Sequence, residues 1–148
     1  MSLKQQLHDA MKQAMRAKDK ARLGAIRLIQ AEMKRVEVDE RIEIDDQRLL
    51  SIMDKMVKQR RDSISQYEQA GRQELAAVET AEIAVIQEFL PAALDQKEID
   101  QLIGEAIAST GAESMRDMGK VMGILKPQIQ GRADAGKVSA MVKKALTA

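Results

Sequence analysis

A chain in which 45% of the residues are apolar but only two are aromatic has few ways to fill an interior. There is one Phe, one Tyr and no Trp, so a core must come from Ala, Leu, Ile, Val and ten Met. Sheets favour aromatic and β-branched side chains, whereas most of this set are good helix formers. Two prolines and eight glycines leave few interruptions. The composition therefore predicts an all-α fold. Its 148 residues suit one domain, or one domain with a small appended one. A globular chain of this size buries about 68–70% of its unfolded surface, so a real core is within reach.

The apolar spacing divides the chain further. Ser2 is a plausible cap for a first helix whose face carries Leu3, Leu7, Met11 and Met15. Asp19 is a plausible cap for a second, running through Leu23, Ile26, Leu28–Ile29 and Met33. The period-2 stretch from Val36 to Ile44 is too short for a stable hairpin and is expected to be a loop with a frayed helix end. Asp45 or Asp46 then opens a long helix with a seam of Leu50, Met53, Val57, Arg60, Ile64 and Tyr67, stopped by Ala70-Gly71. A fourth helix follows from Arg72 to Leu90, with Leu75, Val78, Glu82, Val85 or Ile86, and Phe89 facing inward.

Pro91 marks the best boundary in the chain. Beyond it, Asp95 to Glu98 reads as a capping box for a helix ending at Gly111. A sixth helix is expected from Ser114–Asp117 to just before Pro127, because a proline disfavours helical backbone at the residue preceding it. Gly131-Arg132-Ala133-Asp134 precedes the last helix, with Val138, Met141, Val142 and Leu146. The expectation is an N-terminal bundle of about four helices over residues 1–91 and a three-helix module over 92–148.

With no Cys, neither a disulfide nor a thiolate metal site can form, and no Asn means no glycosylation sequon. No apolar run approaches the ~20 residues of a membrane span. These features lead us to expect a cytoplasmic protein away from the membrane. Net charge is only +1, but it hides blocks: +6 over residues 1–35, −5 over 36–54 and +4 over 113–148. Local field, rather than net charge, steers a polyanion to a surface. The blocks can equally neutralise one another across packed helices.

Catalytic constellations are hard to find. A di-iron bundle needs paired Glu-x-x-His motifs, whereas Glu79-x-x-Glu82 stands alone and the single His8 lies far from it. Without Cys, nucleophilic catalysis would rest wholly on His8, which has no motif around it. Gly119-Lys120 matches part of a phosphate-binding loop, but Ser114 and Val121 stand where that motif needs Gly and Ser or Thr. No metal, cofactor or catalytic residue is expected. Two charges interrupt apolar seams, Arg60 in the third helix and Glu82 in the fourth. Burying either one alone costs several kcal/mol, about 3–5, so an ion pair between them, joined by Glu79 and Arg72, is expected, with a polar pocket as the functional alternative.

The C-terminal module is more suggestive. Arg116, Lys120, Lys126, Arg132, Lys137, Lys143 and Lys144 lie among three short helices. Gly119, Gly131 and Gly136 allow a ligand close to the backbone. The segment from Gly131 to Asp134 stands at a helix start, where free N–H groups favour an anion, although Asp134 can itself fill that role. With almost no aromatics to stack on single-stranded bases, contacts to nucleic acid should go to backbone and shape.

At these same segments the chain resembles the YqeY family, which is similar to the C-terminal helical and tail domains of GatB, the B subunit of the tRNA-dependent amidotransferase. The likeness is carried by Lys58 to Ile64 with Tyr67 and Ala70-Gly71-Arg72, by Glu79-x-x-Glu82-Ile83 running to Phe89-Leu90-Pro91, and by Met118 to Met122 followed by Gly131 to Asp134 and the closing helix. It implies two helical parts and, by analogy with the tail domain, tRNA as a partner, at Gly119, Lys120, Gly131 and Arg132. The kinase-like active site of the amidotransferase lies in a part of GatB with no counterpart here. Three readings follow: a non-catalytic accessory protein binding tRNA or another structured RNA, a protein-interaction adaptor, or a component of a glutamine-dependent carbon–nitrogen ligase.

Overall fold

The computed structural model describes residues 2–147, and these form seven α-helices and no strand. The chain divides into two compact units, Met1–Pro91 and Ala92–Ala148. The first holds α1 (Leu3–Arg16), α2 (Lys20–Glu40), α3 (Asp46–Gln69) and α4 (Gln73–Gln87). The second holds α5 (Gln96–Thr110), a one-turn 3-10 helix at Met115–Asp117, α6 (Met118–Ile129) and α7 (Ala135–Thr147).

Helices α1, α2, α3 and α5 each start on a side-chain oxygen that accepts an otherwise unpaired N–H. Ser2 takes Gln5 N at 3.2 Å, Asp19 takes Arg22 N at 3.1 Å, Asp45 takes Arg48 N at 2.8 Å and Asp95 takes Glu98 N at 2.7 Å. Asp46, the other candidate cap of α3, instead accepts Leu3 N at 3.0 Å and ties the starts of α1 and α3 together. Gly71 and Gly111 turn the chain at helix ends with φ of 72° and 65°, a region that costs glycine little.

The first core is built on Leu7, Ile26, Ile29, Leu49, Met53 and Ile86, each with 1% or less of its surface exposed. The second is centred on Val121, Leu125, Ile129, Val138 and Val142, joined by Ile99 and Ile103 from α5. Burying one such side chain contributes about 1.5–3 kcal/mol.

The structure corrects several local expectations, among them Met15 and Leu28, which the apolar spacing places on inward faces and which are 50% and 44% exposed. Helix α2 continues through Val36 to Glu40 and ends where Arg41 turns left-handed at φ 55°. In a helix, positions 36 and 38 point to opposite sides, so Val36 is buried and Val38 is 66% exposed. Helix α6 runs through Pro127 to Ile129. The proline sits in the last turn, where it removes only the ladder bond to Gly123 O and leaves Gln130 N to close on Lys126 O at 3.1 Å. Helix α4 buries Ala76, Ile83 and Ile86, and Val78, expected inside, is 56% exposed.

Candidate nucleic-acid interface

In the second unit, α6 packs its apolar stripe against α5 and α7 and leaves its other side to solvent. Gly119, Gly123 and Lys126 follow one another at i, i+4 and i+7 on that outer side, with Lys120 beside them. A Cβ added at Gly119 or Gly123 would meet nothing within 4 Å, so packing does not require glycine at either position. Lys120 is 71% exposed and reaches Asp117 only at 4.0 Å. Lys126 and Arg116 are also exposed, as is Lys137 near the start of α7, with Lys144 two turns further along the same side.

The expected candidates divide at this point. Arg116, Lys120, Lys126 and Lys137 present their charges to solvent. Arg132 is engaged inside the unit: its Nε donates to Ala92 O at 3.0 Å and a terminal nitrogen lies 3.9 Å from Glu98. Its own carbonyl accepts Leu94 N at 2.9 Å. The residue thus straps segment 92–94 to the α6–α7 turn. Gly131 makes that turn with φ 73°. The anion seat at the start of α7 is taken by the protein itself, because Asp134 Oδ1 accepts Gly136 N at 2.8 Å. Gly136 has little room, since a Cβ there would come within 3.2 Å of that oxygen.

Asp117 holds the turn before α6. Its carboxylate accepts Glu113 N at 3.0 Å. This bond, then the one from Ser114 N and the charge of Lys120, keep its carboxyl below the usual range.

The interrupted seams of the first unit meet as an ion pair. Arg60 Nε donates to Glu82 Oε2 at 2.8 Å and lies 3.9 Å from Glu79. Both partners are half-buried, at 15% and 24% exposure, rather than fully enclosed. Arg72 does not join them. Its Nε donates to Glu74 at 2.7 Å on the surface, because the turn before α4 places the side chain beside the first turn of its own helix. Part of the opposing charge blocks also cancels locally: Lys4 pairs with Glu37 at 2.8 Å, and Arg48 with Glu40.

One basic row was not singled out from the sequence. Lys20, Arg27 and Lys34 are exposed along α2 at seven-residue spacing, and among the described residues none of the three makes an ion pair. The spacing itself, two helical turns, was the available signal.

A profile of the family described as "Yqey-like protein" matches residues 4–146. A protein of Pyrenophora tritici-repentis named "Altered inheritance of mitochondria protein 41, mitochondrial" is 33% identical over 142 residues, covering 93% of this chain and 77% of its own length. Proteins of the same name are 32% identical in Vanderwaltozyma polyspora and 37% in Eremothecium gossypii. Those alignments take in 73% and 69% of this chain, and 62% and 56% of the relatives. The expectation of a cytoplasmic protein is overturned by these relatives, all three of which are named as mitochondrial. Missing cysteines and the lack of a long apolar run are features of any aqueous compartment, so they never distinguished one from another. Among the described residues, no helix is long and apolar enough to cross a membrane.

Proposed function

We propose that this chain, which belongs to the YqeY family, acts by binding structured RNA, with tRNA the first candidate, through the outer side of its C-terminal unit and without performing a reaction there. The observation that supports this reading most is on α6, where exposed Lys120 and Lys126 flank two glycines with open space above them. Side chains held in ion pairs offer a polyanion little. These two lysines, with Arg116 and Lys137, are among the exposed cations of the unit, as are Lys97, Lys143 and Lys144. The likeness to the tail domain of GatB supports the same choice of partner. Arg132 leaves the set of RNA contacts because its guanidinium is occupied by Ala92 O.

The test is binding of a labelled tRNA transcript to the purified chain across a salt series. Neutralised phosphates release counterions, and about four contacts give a log–log slope of roughly −3. Lys120→Glu with Lys126→Glu should lower affinity at least about tenfold while the helical circular dichroism stays unchanged. Binding by the double variant equal to that of the parent would remove this surface from consideration.

A further inference from the structure

Helix α2 carries a second cationic face, in the first unit. Lys20, Gly24, Arg27, Ala31 and Lys34 follow one another along its outer side at i, i+4, i+7, i+11 and i+14, all of them exposed. Seven residues advance an α-helix by about 10.5 Å and fall only about 20° short of two full turns. The three cations therefore form a nearly straight row about 21 Å long. The acids nearest to them in sequence are committed elsewhere, Asp19 to Arg22 N at 3.1 Å and Glu32 to Arg35. Gly24 has no packing reason to be glycine, since a Cβ there would meet nothing within 4 Å. Glycine inside a helix costs about 0.5–1 kcal/mol relative to alanine. Cations interleaved with small residues over an open face are also what α6 presents in the other unit.

The row discriminates among anionic partners. A membrane is held by a cluster of about four to eight cations, or by an apolar helix face sunk into the lipid. Here three charges are spread along the helix, and its apolar face, with Ile26, Ile29 and Val36, is buried in the core. An acidic protein is held by bulky anchors packed into pockets, whereas only Gly24 and Ala31 stand between these cations. A double-helical stem of RNA is a rod of closely spaced phosphates, recognised through backbone and shape. A straight row of separated cations suits it whatever its sequence. We infer that the outer side of α2 is a second RNA-backbone contact, which takes double-helical stems through Lys20, Arg27 and Lys34. Gly24 and Ala31 let a strand lie close to the helix between them. The inference rests on the proposal that this chain binds structured RNA, but its surface belongs to a different unit and shares no residue with the first.

The experiment uses the full chain and a labelled tRNA transcript across a salt series. Three contacts added to the four of the second unit should steepen the log–log slope of the intact chain from roughly −3 to about −5 to −6. The triple variant Lys20→Gln, Arg27→Gln, Lys34→Gln should return it to about −3. Its affinity should fall at least about tenfold, with circular dichroism unchanged. The charge-keeping exchange Lys20→Arg, Arg27→Lys, Lys34→Arg should bind as the parent does. Lys120→Glu with Lys126→Glu should leave a residual binding that the triple variant abolishes. Unchanged affinity and slope in the triple variant overturns the inference, and leaves the first surface standing if the α6 variant is still weakened. Loss in the triple variant alone keeps this surface and removes the other. A chain that binds no tRNA overturns both. Vesicles of phosphatidylserine and phosphatidylcholine form the last arm: capture that the triple variant abolishes, with tRNA binding untouched, gives the row to a membrane and overturns the inference.

Discussion

Arg60 Nε sits 2.8 Å from Glu82 Oε2, joining α3 to α4 at the one place where both apolar seams carry a charge. Fully buried pairs lose about 3–5 kcal/mol when one partner is removed, and exposed pairs at most about 1. This pair lies between those limits. Arg60→Ala or Glu82→Ala should therefore cost about 1–3 kcal/mol in urea unfolding, and the pairwise replacement Arg60→Met with Glu82→Leu should recover most of it. Arg72→Ala, which removes only the exposed pair with Glu74, should stay within about 0.5 kcal/mol.

Arg132 supplies a solvent-exposed hydrogen bond to Ala92 O that spans 40 residues of chain. Arg132→Met keeps the aliphatic stem and removes that bond, which should destabilise the chain by about 0.5–1.5 kcal/mol. If the residue contacts RNA instead, the same variant will weaken tRNA binding at temperatures where the chain is fully folded. Chemical denaturation beside a binding titration separates the two outcomes.

Two glycines of the second unit should respond in opposite directions to alanine. Gly131 holds φ at 73°, so Gly131→Ala should cost about 1–2 kcal/mol. Gly123 lies within a helix with open space above it, and Gly123→Ala should stabilise by about 0.5–1 kcal/mol. If the bare face of α6 admits a phosphate backbone, that more stable variant will also bind tRNA less tightly.

Glu37 links three segments, accepting Lys4 Nζ at 2.8 Å and Ile44 N at 3.1 Å. The ammonium of Lys4, and next the Ile44 N–H, hold its carboxyl below the ordinary glutamate range. A group depressed in the folded state contributes its stability above the unfolded value, about pH 4.3, and loses it as pH falls through the folded value. Thermal melts between about pH 3 and pH 7 should show the parent falling more steeply below this point than Glu37→Gln. Parallel curves would count against the link.

Much of the fold was legible because it rests on local chemistry. Ser2, Asp19, Asp45 and Asp95 mark helix starts by side-chain reach alone, and the aromatic-poor interior left little but helices. The inward side of α4 is legible only in part: Ile86 is inside as its spacing predicts, whereas Val78 is not. Ala and Val stand on both the inner and the outer side, so the 3.6-residue pattern gives Val78 little contrast with Ala76 and Ile83. The role of Arg132 was hidden for a different reason, since its partner is a carbonyl 40 residues away. No motif announces a hydrogen bond to main chain. The charges of α6 were readable as a list, but which of them stays unpaired depends on neighbours that only packing decides.

Tyr67 lies at the close of α3, and its carbonyl receives Arg72 N at 2.7 Å as the chain turns into α4. It is the sole tyrosine, tryptophan is absent, and Phe89 belongs to the same unit. The segment after Pro91 consequently absorbs and emits nothing of its own in the near ultraviolet. A tryptophan introduced into α7 would light that half alone, so the melting of either half could be watched in the intact chain without cutting it.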